Sequence, residues 1–384
     1  MNSIVTGLLE AGHQVKILAV NNKKYNVTID DIPEDYRRKT GIELIDVDLR
    51  VRAFKAFKNL FSKKSYHVER FISKNFNNRL TEVLKSDTYD VVQLETLFMT
   101  PYTETIRKHS KALVVLRAHN VEHLIWERIA KGTRFFLKRA YINHLAKTLK
   151  NYELTAISQV DGIAAITRKD AAYFRKYSAT TIVDIPYGVY PEEFTPNYEI
   201  DDKPSFYHIG SMNWIPNEEG IRWFIENCLE TVTAKVPDFV FHLAGRNMPE
   251  WLKELKNPHV DVIGEVPDAK EFVANHDIAI VPLLSGSGIR IKIIESMAMG
   301  KAVITTMVGA EGILYDEDVN IIIAENKAQM AEAIRRFNEN PAQAMEIGKA
   351  GRKLVEEVYD NRKLTERLLL FYSQIKPSSK ITFV

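Results

Sequence analysis

The chain predicts an α/β protein made of two doubly wound parallel-sheet domains. Three observations carry this expectation. Its 384 residues, 45% of them apolar, exceed one ordinary domain and can fill two cores of roughly 150 to 200 residues each. Short apolar runs of strand length alternate with helical periods along almost the whole sequence, the pattern of a parallel sheet whose ligands gather at the strands' carboxyl ends. Between two such series, residues 186–196 (PYGVYPEEFTP) are dense in proline and turn formers and residues 198–204 are polar and acidic, which puts the junction there.

In chain order, residues 2–11 predict a short amphipathic helix ended by Gly12, and residues 15–20 (VKILAV) a buried strand. A doubly wound domain normally opens with a strand and a glycine-rich turn, and that strand lies mid-sheet. Neither precedes the first helix here. Further strands are expected at 42–47, 91–94, 112–116, 162–166 and 181–185, with helices between the later ones. The second series runs through strand 205–209, helix 218–235, strand 239–243, helix 250–255, strand 260–263 and helix 269–275. Strand 321–324 and helices to about 375 follow a central stretch, and residues 376–384 predict a loosely packed end.

That central stretch, residues 281–306 (VPLLSGSGIRIKIIESMAMGKAVITT), organises the rest. An apolar run over 278–284 turns through Ser285-Gly286-Ser287-Gly288 into a helix from about Ile289 to Met299, stopped by Gly300, and residues 302–305 form the next strand. The first helical N–H groups lack internal partners and carry partial positive charge, and small loop residues let a phosphate approach them. Arg290 and Lys292 add full charges, and Glu295 lies one turn on from Lys292 on the same face. Two cations and a carboxylate at a helix start suit a nucleotide diphosphate, the carboxylate accepting from ribose or sugar hydroxyls. A surface ion pair between Lys292 and Glu295 is the competing expectation.

A net charge of +2 excludes nucleic acid as the main partner. The lone cysteine, Cys228, excludes an internal disulfide and a cysteine metal cluster and suits a reducing compartment. With no apolar run of about 18 residues and no signal-peptide layout, a cytoplasmic location is expected. One stretch is lopsided. Between residues 50 and 64, Arg50, Arg52, Lys55, Lys58, Lys63 and Lys64 occur without an acid, and Phe54, Phe57 and Phe61 fall on one helical face. Such a helix can lie on an anionic membrane or pack its apolar side into the core; a second basic and aromatic run spans residues 134–150. In the first domain, the residues after strand ends are Glu95 and Thr96, then Arg117, His119 and Asn120.

The motifs GSGIRIKIIESMAMGKAVITT, PYGVYPEEF, RAHNVEH and HIGSMNWIPNEEG together make the chain resemble the retaining glycosyltransferases of the GT-B fold, family four, over residues 2 to about 375. The resemblance implies two Rossmann-like domains facing a cleft: an acceptor-side domain over 1–190, a nucleotide-sugar domain over 191–358 and a helix over 359–376 returning to the first. It implies that the first domain lacks its first strand, so that either the natural start lies upstream or the domain bares apolar edges.

By the resemblance, Glu295 holds the donor ribose, while Ser287 stands where the family usually has a second glutamate. The loop Gly210-Ser211-Met212-Asn213-Trp214 lacks the family's usual Arg and Lys, and Arg290 and Lys292 are expected to supply that diphosphate charge within a GxGxRxKxxE loop. His119 matches the histidine that reaches the donor sugar near the reacting carbon. Gly245, Arg246 and Val266 border the base, Gly288 and Ile289 the donor, and Glu95, Arg117 and Asn120 the acceptor side. No metal or other cofactor is implied, because cations and a helix start stabilise the departing diphosphate. The implied activity is transfer of a sugar from a nucleotide sugar to a polysaccharide or glycolipid acceptor with retention, by an enzyme resting on the membrane through residues 50–64. A catalytically silent nucleotide-sugar-binding protein and a sugar-nucleotide epimerase are the alternatives.

Overall fold

In the computed structural model, residues 2–22, 27–52, 58–286 and 288–375 are described. The chain divides into two compact units, one holding residues up to 185 together with those from 365 onward, the other residues 186–364. The α/β expectation holds: all ladders in the named sheets are parallel.

The first unit opens with helix Asn2–Glu10 and then β1, Leu18–Asn21, paired with β2, Glu43–Asp46, as a separate two-stranded sheet. A second sheet orders β3 (Val91–Glu95), β4 (Leu113–Ala118), β5 (Gly162–Ala165) and β6 (Thr181–Asp184) in sequence. Among the described residues no ladder joins β1 to β3, and all four residues of β1 stay half-exposed. Side chains hold the small sheet in place instead. Leu18, Val20 and Ile45 pack on a core centred on Phe76, Tyr102, Leu116, Ile163 and Phe174. Glu43 accepts from Arg79 at 2.5 Å and Lys16 at 2.6 Å, and these bonds, Arg79's foremost, hold its carboxyl at about 2.

After β4 the chain enters helix Glu122–Gly132, whose first N–H groups need acceptors. Helix Phe136–Ala156 supplies one: buried Glu153 accepts from the backbone of Glu122 at 3.0 Å and of His123 at 3.2 Å, and pairs with the His123 ring at 2.5 Å. The other His123 ring nitrogen bonds Tyr173 at 2.9 Å. This buried cluster fixes the loop that carries His119 and Asn120. Burial and the neighbouring Glu153 charge push the Glu122 carboxyl up to about 7.

The basic stretch over 50–64 is described only in part; Phe54, Lys55 and Phe57 lie outside the described residues. Phe61 is 83% exposed, which removes it from the core-packed alternative, and Asp48 bonds Arg50 at 2.8 Å and Arg52 at 2.9 Å. One carboxylate, Asp48, is thus shared by the first two cations of the stretch.

The second unit has a six-stranded sheet. Its strands are β7 (Phe206–Ile209), β8 (Phe241–Ala244), β9 (Val260–Gly264), β10 (Ile278–Val281), β11 (Ala302–Thr305) and β12 (Ile322–Ile323). They are ordered β12-β11-β10-β7-β8-β9. The helix expected over 218–235 begins earlier, at Ile215, and carries a π-helical turn over Phe224–Cys228. Burial pushes the Cys228 thiol up to about 12, so it is a packing residue rather than a nucleophile. The helix after β10 is shorter than expected, Ile291–Ala298, because Arg290 is extended; Gly300 takes the left-handed conformation as expected.

Glu122 yields a stability prediction. Folded, its carboxyl keeps its proton to about 7; unfolded, it loses it near ~4.3. Its protonated form therefore favours the fold below the unfolded value, and that contribution is lost as pH rises through about 7. Glu122→Gln should raise the thermal midpoint at pH ~8 by the equivalent of roughly 1–3 kcal/mol and change it little at pH ~4. Equal effects at both would remove the assigned burial penalty.

Candidate active site

In the second unit β7 comes first in sequence yet lies mid-sheet, between β8 and β10. The chain winds away to one side through β8 and β9 and to the other through β10, β11 and β12. Such a reversal opens a crevice at the carboxyl ends of the two central strands, where ligands of this architecture bind. The β7–β10 ladder has two residue pairs, Ile278↔Phe206 and Ala279↔Tyr207. Past it, the buried His208 ring takes over, Nδ1 lying 2.8 Å from the Ile280 carbonyl. A carbonyl only accepts, so Nδ1 carries the proton and Nε2 is left as an acceptor. Burial first, and the nearby Lys292 charge second, push the His208 pKa well down, and the ring is neutral.

Lys292 uses that acceptor. From the first turn of helix Ile291–Ala298, its ammonium donates to Asn217 Oδ1 at 2.7 Å and to His208 Nε2 at 3.2 Å. Asn217 is aligned by its own amide, which donates to the Ser211 carbonyl at 2.8 Å. Both partners of the ammonium are neutral. Among the described residues no ion pair joins Lys292 to Glu295, so the expected alternative of a surface pair is replaced by this arrangement. Desolvation, with the Arg290 charge adding to it, lowers the Lys292 pKa to about 7. Glu295 is exposed one turn on, its carboxyl pushed up by partial burial.

The approach is built at backbone level. A Cβ on Gly210 would stand 2.5 Å from the Lys292 ammonium, and one on Gly245 would meet the Gly210 carbonyl at 1.8 Å. A side chain at Gly245 would have to move the Gly210 backbone, and one at Gly210 would displace the Lys292 and Asn217 side chains. At the exit of β10, Thr305 donates to the Val281 carbonyl at 2.6 Å and Thr306 donates to the Leu283 carbonyl. These bonds satisfy carbonyls that the ladder leaves behind and fix where the loop starts.

Arg290 behaves differently from Lys292. It is 4% exposed, donates to the Gly288 carbonyl at 2.7 Å and lies 5.1 Å from the Trp214 ring centre. It braces the glycine loop. The helix that follows has no side-chain N-cap, which leaves its first N–H groups for a ligand. Ser287 lies outside the described residues, and Ile289 precedes the helix. Ser211, Arg246 and Val266 lie on loops after β7, β8 and β9; Met212 N–H donates to the Arg246 carbonyl at 2.9 Å, and Asn247 donates to Ser211 Oγ at 3.3 Å.

In the first unit, the ends of β3 and β4 bring Glu95, Arg117 and His119 together. His119 Nε2 lies 2.8 Å from Glu95 Oε2, and buried Arg117 lies 3.8 Å from the same oxygen. Gln93 donates to the other Glu95 oxygen at 2.7 Å and accepts from Tyr372 at 2.5 Å. Burial pushes the Glu95 carboxyl up, but the His119 bond and the Arg117 charge outweigh it and leave it below its usual range. Asn120 begins the turn into helix Glu122–Gly132. Thr96 is held at φ 82°, ψ 156°, a strained region for a residue with a Cβ. Sequence reasoning gave no role to His208, Asn217 or Glu153, and it named Trp214 only as part of a loop. His208 sits in the apolar run FYHI of a central strand, and a histidine in such a run was the available signal.

Residues 203–340 match the family model described as glycosyl transferases group 1. A 44.6 kDa protein in the cps region of Klebsiella pneumoniae is 23% identical over 299 residues, 75% of each chain. Among solved structures, sucrose-phosphate synthase from Thermosynechococcus elongatus aligns with a TM-score of 0.67 at 16% identity, covering 97% of this chain and 91% of that one. Anabaena HepE in complex with UDP aligns with a TM-score of 0.61 at 12% identity, covering 94% and 100%. The chain has the fold of these GT-B proteins, and its second unit carries the match to glycosyl transferases group 1.

Proposed function

We propose that the protein moves a sugar from a nucleotide diphosphate sugar to a carbohydrate or lipid-linked acceptor, with retention and without a metal ion, on the cytoplasmic side of a membrane. The observation that carries this reading is the Lys292 ammonium, held by two neutral acceptors at an uncapped helix start in the crevice between β7 and β10. A half-buried cation bonded to neutral groups keeps its attraction for an added anion. As the bond from sugar to diphosphate breaks, charge gathers on the departing phosphate, and Lys292 with the helix N–H groups stabilises it. Glu295 accepts from the ribose hydroxyls. His119 is oriented by Glu95 for the role that the family resemblance gives it, and the departing phosphate oxygen accepts the acceptor's proton. The domain match, the GT-B neighbours and the UDP of the HepE complex support this reading.

Calorimetry with UDP-, GDP- and ADP-sugars tests the site directly. One nucleotide should bind selectively, and Lys292→Met should weaken it at least tenfold, the loss of a charge-assisted contact worth about 1.5–3 kcal/mol. Unchanged affinity in the variant would remove the assigned role. Glu295→Ala should lower kcat/KM roughly tenfold to hundredfold with the fold intact by circular dichroism. Turnover that persists in EDTA supports the metal-free mechanism, and its loss overturns it.

The pH dependence follows from Lys292. An added anion raises the lysine pKa, so binding takes up a proton wherever the free ammonium has lost one. Affinity for a sugar-diphosphate donor, whose phosphates stay ionised, should be full below about 7 and fall above it, by up to ~10-fold per pH unit. Lys292→Arg should flatten the profile, because a guanidinium stays charged. A flat profile in the unmodified protein would contradict the assignment.

A further inference from the structure

Within the first unit, helices Glu122–Gly132 and Phe136–Ala156 are joined by the short turn over 133–135. Apolar side chains crowd that turn. Phe135, Phe136 and Leu137 are 60%, 64% and 58% exposed, and Ile129 one turn before the end of the first helix is 43% exposed. The two phenyl rings lie 5.6 Å apart, facing water together. Exposed Lys131, Arg134, Lys138 and Arg139 surround them, and none of the four makes an ion pair among the described residues. Between Glu127 and Glu153 the sequence has seven Lys and Arg residues and no acid.

We propose that this helical tip inserts into an anionic lipid bilayer, its phenyl and leucyl side chains below the headgroups and its cations among the phosphates. Geometry selects a bilayer over a protein groove. Phe135 is the extended residue before the helix, and Phe136 and Leu137, its first two residues, point about 100° apart, so the three side chains leave the tip in different directions. A groove on a partner accepts one helix face; a bilayer surrounds the tip from all sides. Charge selects an anionic surface, since each Lys or Arg near such a surface adds its own attraction and here no acid offsets it. This contact lies at residues 129–139 and is separate from the basic stretch over 50–64, where Asp48 meets Arg50 and Arg52. This inference does not rest on the donor chemistry.

Co-sedimentation of the full chain with vesicles tests it. The protein should pellet with phosphatidylcholine vesicles containing phosphatidylglycerol and remain in solution with phosphatidylcholine alone. The triple variant Phe135→Ser, Phe136→Ser, Leu137→Ser should lose at least tenfold in partitioning, and so should Arg134→Glu with Lys138→Glu. Both variants alter exposed side chains, so the thermal midpoint and nucleotide affinity should match the parent; this separates failure here from failure of the donor-site reading. Equal partitioning of parent and triple variant overturns the proposal. A concentration-dependent dimer that the triple variant abolishes, without vesicle binding by the parent, overturns it in favour of a second copy of the chain.

Discussion

The second unit depends on keeping an ammonium charged where water is scarce. Burial favours the neutral amine, so the Lys292 side chain is a usable cation only because Asn217 and His208 each offer it a lone pair. Those offers have conditions of their own. Asn217 must be turned by the Ser211 carbonyl, and His208 must donate its Nδ1–H to the Ile280 carbonyl so that Nε2 is left as an acceptor. Gly245 must stay bare for the backbone of Gly210 to come that close, and Gly210 for Lys292 and Asn217 to keep their places. The sheet order places all of these groups at the one point where the winding reverses.

The first unit solves a similar problem with opposite charges. Glu95 is a half-buried carboxylate kept ionised by His119 and Arg117, and it fixes the histidine's ring in return. Further along, Glu153 accepts from the start of the helix after β4 and clamps His123, so the loop between β4 and that helix is tied at its far end. The strained backbone of Thr96 lies on the same strand-end side, where β3 leaves the sheet. Rigid polar support behind a flexible-looking loop is the common theme of both units.

Much of this was legible in the sequence. Apolar runs of strand length, turn-forming residues and the glycine loop placed eleven of the twelve strands among the described residues within two residues at their starts, because a parallel strand buried on both faces leaves an unbroken apolar signature. The Lys292 and Glu295 positions were legible from helix periodicity. What the sequence could not display was tertiary pairing. That Arg290 folds back on the Gly288 carbonyl while Lys292 faces the crevice depends on backbone directions at a loop, and local spacing is silent on those. His208 and Asn217 were missed for the same reason: a histidine inside a strand and an asparagine inside a helix gain meaning only when their neighbours in space are known.

The short ladder between β7 and β10 has a wider consequence. Where two strands part, a side chain rather than the backbone spans the gap, and its size sets how far the strands splay. A substitution at position 208 would remove that bridge at the mouth of the crevice while the backbone ladders on either side keep their hydrogen bonds. A fold built this way separates its framework from its selectivity, and lineages sharing the framework can diverge in what they admit without first having to relearn how to fold.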